Sequence, residues 1–579
     1  MSKFYISKSG TFVKKVIDYH PELKVTGQHT SNGFSSVCFD KMSLHHDNCF
    51  VEPETEGFVY LVGTPIKRAG LDVPNILQYI LSEVNKNIRN IDQVKKDILG
   101  MWAALVYTGG KAYVFNDYYG LYDICYSNCD DSFSIGNDLA DVARFIHTFE
   151  YDEYSFIMEC FQSGAFPGGT IFKDVKKLKS SQYILIEQSK MEVYDFEKTS
   201  ISYTFVDEDT ALHDIKSLVQ TYADIIDKMY SPEIIGMTGG LDSRLLFAAF
   251  NSVGARFSCF HGISSITYTG DRDIVESICK YYNKSLEYHD WQQPMEFCLK
   301  DHEAVFAEVG FNNYIAAGCK AHYEVFKETA QRYPYTLAGY FGEAVRLRDW
   351  AEKKGKYFSL SDYVENYYMN KALKGVYSHY EQLKTFIEAE HKKQLMSLGY
   401  QGDVENIPID FFERFRWIMA RFCDTRSVFM NNIYCFSFPL MGIPYIHEAV
   451  LSLPSNIIRD SRFQIKLLLS LDEDVINKFD LFSHNRPWRI INGHKVRKIS
   501  KANIADLVSE KLPFIRPLLR RVYRNLRNNE GHQRNTMLND IEPFRKLIPS
   551  YVNIDLYKES LIRLRAALVG VNALNKCEL

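Results

Sequence analysis

A chain of 579 residues, 46% of them hydrophobic, has ample material for large cores, and its length alone predicts about three to four domains. The formal net charge of −4 and the pI near 6.5 give no whole-chain reason to expect a nucleic-acid partner. Twelve cysteines are scattered with no CxxC pair, which argues against zinc and for reduced thiols in a cytosol. No uncharged run reaches the roughly 18 residues of a membrane span, and the first residues lack a signal peptide's apolar core, so a cytoplasmic protein is expected.

Residues 1–200 alternate short apolar runs with turn signals, which predicts a β-rich layered domain. The chain begins Met1-Ser2-Lys3, and its frontmost cysteines are Cys38 and Cys49. His45-His46-Asp47 reads as a solvated loop rather than a metal site.

The segment EIIGMTGGLDSRLLF (Glu233–Phe247) is the most informative in the chain. Ile234, Ile235 and Met237 read as a buried strand, and Thr238-Gly239-Gly240 as a turn whose N–H groups can approach an anion without Cβ obstruction. A helix beginning near Ser243 adds its positive N-terminal end, and Thr238–Ser243, Leu241 included, is the expected nucleotide-binding run. Asp242 would repel phosphate, so its expected task is to hold Mg2+ against it. Neither a GxxxxGK[ST] loop nor a GxGxxG fingerprint surrounds Gly239, which sets aside two common phosphate-binding alternatives.

TGGLDSR resembles the SGGxDS pyrophosphate loop of the N-type ATP pyrophosphatases, and among them the asparagine synthetase family, with Thr238 keeping the hydroxyl of the usual Ser. RFSCFHG (Arg256–Gly262) resembles the second strand, whose end, at Phe260 and Gly262, meets adenine in that family. YTGDRDIVESICKYYNKSLEYHDW (Tyr268–Trp291) resembles its acidic-start helix and next strand. LAGYFGEAVRLRDW (Leu337–Trp350) resembles the turn that supplies a second carboxylate for Mg2+, with Glu343 in place of Asp. Tyr340 stands where asparagine synthetases have Glu and β-lactam synthetases have Tyr. The resemblance implies that Tyr340 deprotonates an attacking amine with a nearby carboxylate, for which Glu365 and Glu381 are both candidates. IIRDSRFQIKLLLSL (Ile457–Leu471) resembles the helix whose Lys, here Lys466, neutralises the leaving pyrophosphate. PLMGIPYIHEAVLSLP (Pro439–Pro454) departs from the family with Gly442 in place of Asp, which argues against aspartate as substrate.

The resemblance reaches back into the first third. GMWAALVYTGGKAYVFNDYYGLYDICYS (Gly100–Ser127) and GGTIFKDVKKLKSSQYILI (Gly168–Ile186) resemble segments of the family's amidotransferase domain. That domain places Cys directly after the initiator Met, whereas this chain has Ser2, and LVGTP (Leu61–Pro65) lies where an Asn-Gly-Glu glutamine-binding run would be. Loss of glutamine hydrolysis is expected.

The implied fold class is an α+β, N-terminal-nucleophile-hydrolase-like four-layer domain over 1–200 without a catalytic Cys, then an α/β domain with a parallel sheet over 201–480. A basic helical extension over 481–579 is expected to follow. From Leu481 to Glu530 there are twelve Lys/Arg against three Asp/Glu, and KLPFIRPLLRRVYRNLR (Lys511–Arg527) interleaves apolar and basic positions. A peripheral contact of 481–530 with an acidic carrier or membrane is one reading, and an amphipathic helix packed on its own protein the other.

The expected function is an AMP-forming carbon–nitrogen ligase using ATP and Mg2+, which adenylates a small-molecule or peptide carboxylate and couples it to an amine. An asparagine synthetase fed by ammonia or glutamine, and an ATP-binding pseudoenzyme, are the alternatives.

Overall fold

Alternation along the first strand shows how the front half is built. Phe4 and Ile6 enter the main core, while Tyr5 between them packs with Phe12, Val13 and Val16 on the opposite face. The structure, a computed structural model, describes residues 2–31, 33–53, 56–129, 132–143, 150–161, 169–263, 269–290, 327–346, 357–483, 486–491, 493–497, 542–554, 564 and 568.

Twelve strands make two antiparallel sheets: β1 (Lys3–Ser7), β2 (Val25–Thr30), β3 (Ser35–Phe39), β4 (Cys49–Val51), β5 (Phe58–Lys67), β6 (Ile98–Thr108), β7 (Lys111–Asn116), β8 (Cys125–Cys129), β9 (Ser132–Gly136), β10 (Lys176–Lys177), β11 (Gln182–Glu187) and β12 (Lys190–Asp195). Their orders are β10-β8-β9-β1-β3-β2 and β12-β11-β7-β6-β5-β4. Phe4 and Ile6 share the main core with Tyr60, Val62, Met101 and Leu105 of the other sheet. Helix α1 (Gly10–Tyr19) covers the outer face of the first sheet. Helices α2 (Ile76–Lys86) and α3 (Ile91–Asp97) cover the second, over Val59, Leu61, Trp102 and Val106. The result is helix, sheet, sheet, helix, as two two-faced sheets require. Short helices α4 (Leu139–Ala143) and α5 (Glu153–Phe161) lie between β9 and β10.

The second half opens with α6 (Glu208–Tyr230), capped by Asp207, whose carboxylate accepts from Thr210 N at 2.8 Å. Ala211, Ile215, Val219, Tyr222 and Ile226 form its buried stripe. The central sheet is parallel, with β13 (Ile234–Gly236), β14 (Ser258–Ile263), β15 (Leu286–Asp290) and β16 (Thr336–Leu337) in the order β15-β14-β13-β16. Helices α7 (Leu241–Ser252) and α8 (Thr269–Tyr281) join β13 to β14 and β14 to β15. Strand order reverses between β13 and β16, which opens a crevice at the C-terminal ends of those strands. A small pair, β17 (Tyr357–Phe358) and β18 (Ile407–Pro408), lies farther along.

The expected helical extension from 481 is corrected by the structure. Its start is an antiparallel sheet, β19 (Leu481–Ser483), β20 (Arg486–Ile491) and β21 (His494–Arg497), seated on the second half, so the boundary placed at 480 falls inside that half. The basic segment Lys511–Arg527 lies outside the described residues. Val552, Ile554, Leu564 and Leu568 are buried in the main core. No helix among the described residues is long and apolar enough to cross a membrane.

The halves meet along a polar seam. Thr64 donates to the Asn432 carboxamide oxygen, and Ser437 N donates to Thr64 Oγ1 at 3.0 Å. Lys41 Nζ donates to Asn432 O at 2.9 Å and lies 4.8 Å from the Phe436 ring centroid. Burial pulls the Lys41 ammonium down to about 7, and burial followed by the nearby Lys198 does the same to Lys95. In the unfolded chain both titrate near 10.5, so between those values the unfolded state binds more protons and stability rises with pH. The thermal midpoint should therefore climb from pH 7 to 9.5 more steeply in wild type than in Lys41→Met, each such lysine contributing about 1.4 kcal/mol per pH unit. Parallel midpoint profiles for the two proteins would remove Lys41 from this account.

Candidate nucleotide site

Gly236 ends β13 at the C-terminal edge of the parallel sheet, and Met237–Gly240 turns the chain into α7. Gly240 caps that helix with no side-chain hydrogen bond. The Ser243 hydroxyl holds the turn by accepting from Thr238 N at 3.0 Å and lying 2.9 Å from Thr238 Oγ1. Thr238 Oγ1 accepts from Gly240 N at 3.3 Å, and Gly239 N donates to Asp271 Oδ1 at 2.5 Å.

The turn after β16 seats directly on this loop. A Cβ at Gly339 would fall 2.8 Å from Ser243 N, and one at Gly342 would fall 2.8 Å from Asp242 Cβ, so glycine is required at both for close approach. Asp242 and Glu343, paired in the sequence reading, therefore come from two segments in contact. Between Gly339 and Gly342 the buried Phe341 adopts φ 66°, a left-handed conformation costly for a bulky side chain. Its ring packs 5.4 Å from that of His447, and a Cβ at Gly442 would press on Phe438 and Phe341 at 3.2 and 3.4 Å. Gly442 thus lies against an aromatic filling where the family pattern has a carboxylate.

Both Asp242 oxygens are engaged. Arg346 Nη2 donates to Oδ2 at 2.9 Å, and Gln464 Nε2 donates to Oδ1 at 2.6 Å and to Gly342 O at 3.0 Å. Two carboxylates beside an anion loop are a donor set Mg2+ accepts, together with phosphate and water oxygens. Asp242 and Glu343 fit it, provided Arg346 yields Oδ2. Among the described residues no cluster of three or more His, Cys, Asp or Glu could hold a metal ion on protein groups alone.

Lys466 is not brought to the loop. Two residues from Gln464 is a turn of about 200° around a helix, and Lys466 points to the opposite side, 2.9 Å from Glu208 and partly exposed. The expected contact with pyrophosphate is corrected accordingly, and the described cation beside Asp242 is Arg346. Glu365 pairs with Lys384 at 2.8 Å, and its hydrogen bond from Lys384 outweighs burial to hold its carboxyl low. Glu365 and Glu381 both lie near Tyr380, and Tyr340 packs half-buried against the core.

Four further residues shape the site without having been singled out from the sequence. Arg244, fully buried, donates to Val475 O (2.7 Å), Phe479 O (3.3 Å), Gly239 O (3.2 Å) and Asp480 O, tying the loop to the segment before β19. Burial pulls its guanidinium down to about 9, which leaves it charged at neutral pH. Phe482 N donates to Gly239 O at 2.9 Å, and its ring covers Gly270. His261 lies under the loop, its Nδ1 2.9 Å from Met237 O. On the sheet edge beside it, Phe260 stacks on His289 with centroids 4.6 Å apart at 14°, a flat platform next to Gly262. Leu241 is buried and anchors the first turn of α7.

In the front half Ser2 is fully buried. Gly63 N donates to its Oγ at 3.2 Å, and the Tyr122 hydroxyl donates to its carbonyl at 2.8 Å.

No family model matches the chain, and no curated protein matches it. Among solved structures it is similar to glutamine phosphoribosylpyrophosphate amidotransferase from B. subtilis complexed with ADP and GMP, at 9% identity and TM-score 0.24 over 50% of this chain and 81% of that one. It is also similar to a structure described as the allosteric regulatory enzyme of purine biosynthesis, at 9% identity and TM-score 0.23 over 51% and 82%. A third is glutamine-dependent NAD+ synthetase from Acinetobacter baumannii in complex with ADP, at 9% identity and TM-score 0.18 over 33% and 41%. At these scores the shared backbone carries no argument, and the fold rests on the sheet orders given above.

Proposed function

We propose that the protein is an ATP-dependent, amide-bond-forming ligase that adenylates a substrate carboxylate and passes the acyl group to an amine without hydrolysing glutamine. The observation that carries this reading is the TGGLDS loop at the C-terminal edge of a parallel sheet, with the Gly339–Glu343 turn packed on Asp242. The loop and the α7 N-terminus bind the phosphates, and the Phe260–His289 platform receives the base. Mg2+, held by Asp242 and Glu343, supplies charge neutralisation at the phosphates. Arg346, paired with Asp242 beside the loop, is the cation we assign to charge developing on the leaving pyrophosphate.

To Tyr340, in the same turn, we assign removal of the amine's proton. Tyr340→Phe is expected to leave ATP–pyrophosphate exchange intact while slowing amide formation. An equal fall in both would assign Tyr340 to the nucleotide step or to packing. The aromatic filling around Gly442 supports a substrate other than aspartate, and the buried Ser2 supports loss of glutamine chemistry.

The test is pyrophosphate exchange by wild-type protein against fractionated small-molecule and peptide extracts. Exchange in one fraction supports the ligase and isolates its carboxylate. The outward Lys466 and the Arg346-bound Asp242 favour one alternative, an ATP-binding protein without turnover; ATP binding with silence in every fraction would select it.

A further inference from the structure

Three backbone N–H groups of the loop are committed within the protein. Thr238 N and Gly240 N are held by the hydroxyls of Ser243 and Thr238, neutral partners on the loop itself. Gly239 N is held by Asp271, which comes from the start of α8 and is an anion. The carboxylate rests against the loop, since a Cβ at Gly239 would fall 2.6 Å from Asp271 Oδ1. A phosphate seated there meets a like charge in its place, so phosphate and Asp271 compete for Gly239 N–H.

A second position for the carboxylate lies beside the first. His261 is 2% exposed, and its Nδ1 faces the Met237 carbonyl, which only accepts, so Nδ1 carries the hydrogen. Nε2 then has no hydrogen-bond partner among the described residues and lies 3.9 Å from Asp271 Oδ2. A carboxylate oxygen and an imidazole lone pair repel until a proton stands between them. With that proton they form a charge-assisted bond that also satisfies a buried polar atom.

We propose that Asp271 is a built-in stand-in for phosphate, and that a nucleotide phosphate displaces it from Gly239 N–H to His261 Nε2 with uptake of one proton from solvent. The proton ends between Asp271 Oδ2 and His261 Nε2, and no other bond changes. This rests on the nucleotide reading above. Burial already raises the Asp271 carboxyl, opposed chiefly by the Gly239 N–H bond, so the group is biased toward accepting the proton. Among the described residues Glu276 of α8 also faces His261. On the far side of Gly239 the Phe482 backbone and Cβ close the loop, which leaves the His261 side for the displaced carboxylate.

The test is calorimetric titration of full-length protein with α,β-methylene-ATP and Mg2+ at one pH in two buffers of different ionisation enthalpy. Wild type should take up about one more proton per nucleotide than either variant, a difference that cancels the nucleotide's own ionisation. His261→Gln, whose amide can donate to Asp271, should bind with that uptake lost. Asp271→Ala should lose it too and bind about tenfold more tightly, because Gly239 N–H no longer has to give up a charged partner. Binding by Asp271→Ala alone would also support the proposal. Equal proton uptake in all three proteins, with nucleotide bound, would overturn the exchange while leaving the nucleotide site standing. Binding by none of them would overturn both.

Discussion

Asp242→Asn protein should exchange pyrophosphate into ATP at least about 100-fold more slowly than wild type, at saturating nucleotide and in the substrate fraction that supports exchange. The substitution keeps the size of the side chain and leaves an oxygen for the Gln464 amide, so the turn at Gly342 stays in place. What disappears is the negative charge. Arg346 loses its ionic partner, and the pair Asp242–Glu343 no longer offers two carboxylates to a divalent cation. A matched thermal midpoint for the two proteins separates this loss from misfolding. Near-wild-type exchange would take Asp242 out of metal and phosphate chemistry altogether.

Arg244→Met should be among the most damaging single changes in the second half, costing about 3–5 kcal/mol, because four carbonyl groups, two in buried and two in partly buried bonds, lose one shared donor. Methionine fills much of the volume but donates nothing. The carbonyls of Val475, Phe479 and Asp480 then depend on water reaching a place where Arg244 itself is fully buried, while Gly239 O keeps only its bond from Phe482 N. A fall on the order of 10 °C in the unfolding midpoint is expected, with weakened nucleotide binding because the loop is no longer tied to the segment before β19. Arg244→Lys should be intermediate, since one ammonium cannot span the fork of a guanidinium. If both variants melt within a degree or two of wild type, the buried guanidinium is not what holds this segment.

The strand, turn and helix around Gly239 were legible because their signals are local: an apolar run, two glycines and a helix that starts at once. Contacts across the chain were not. Arg346 stands within Leu337–Trp350, yet nothing local to that stretch announces that its guanidinium reaches back to Asp242. Asp271 could be read as the start of an acidic helix, but its bond to Gly239 depends on how α8 lies over the loop.

Lys466 illustrates a different failure. A lysine in the right helix invites the phosphate role, but the phase of the helix decides where it points. Gln464 shares its face with Leu468 and Leu471, spacings of four and seven, whereas Lys466 shares its own with Arg462. That phase is written in the spacing of the helix's leucines. The same holds for β20 and β21, where Asn492-Gly493 between RPWRII and HKVR is a strong hairpin signal that a count of basic residues conceals.

The seam through Thr64 changes what counts as a separable piece of this molecule. Cutting between β12 and α6 would leave the Thr64 hydroxyl without the Asn432 amide, strip Lys41 of its carbonyl and take the Tyr230 hydroxyl away from the Pro65 carbonyl. Neither fragment would keep a finished surface. The front module, with Ser2 sealed inside, serves as one wall of the house in which the parallel sheet stands, and the seam makes the two halves together the smallest cooperative unit, whatever number of domains the length suggests.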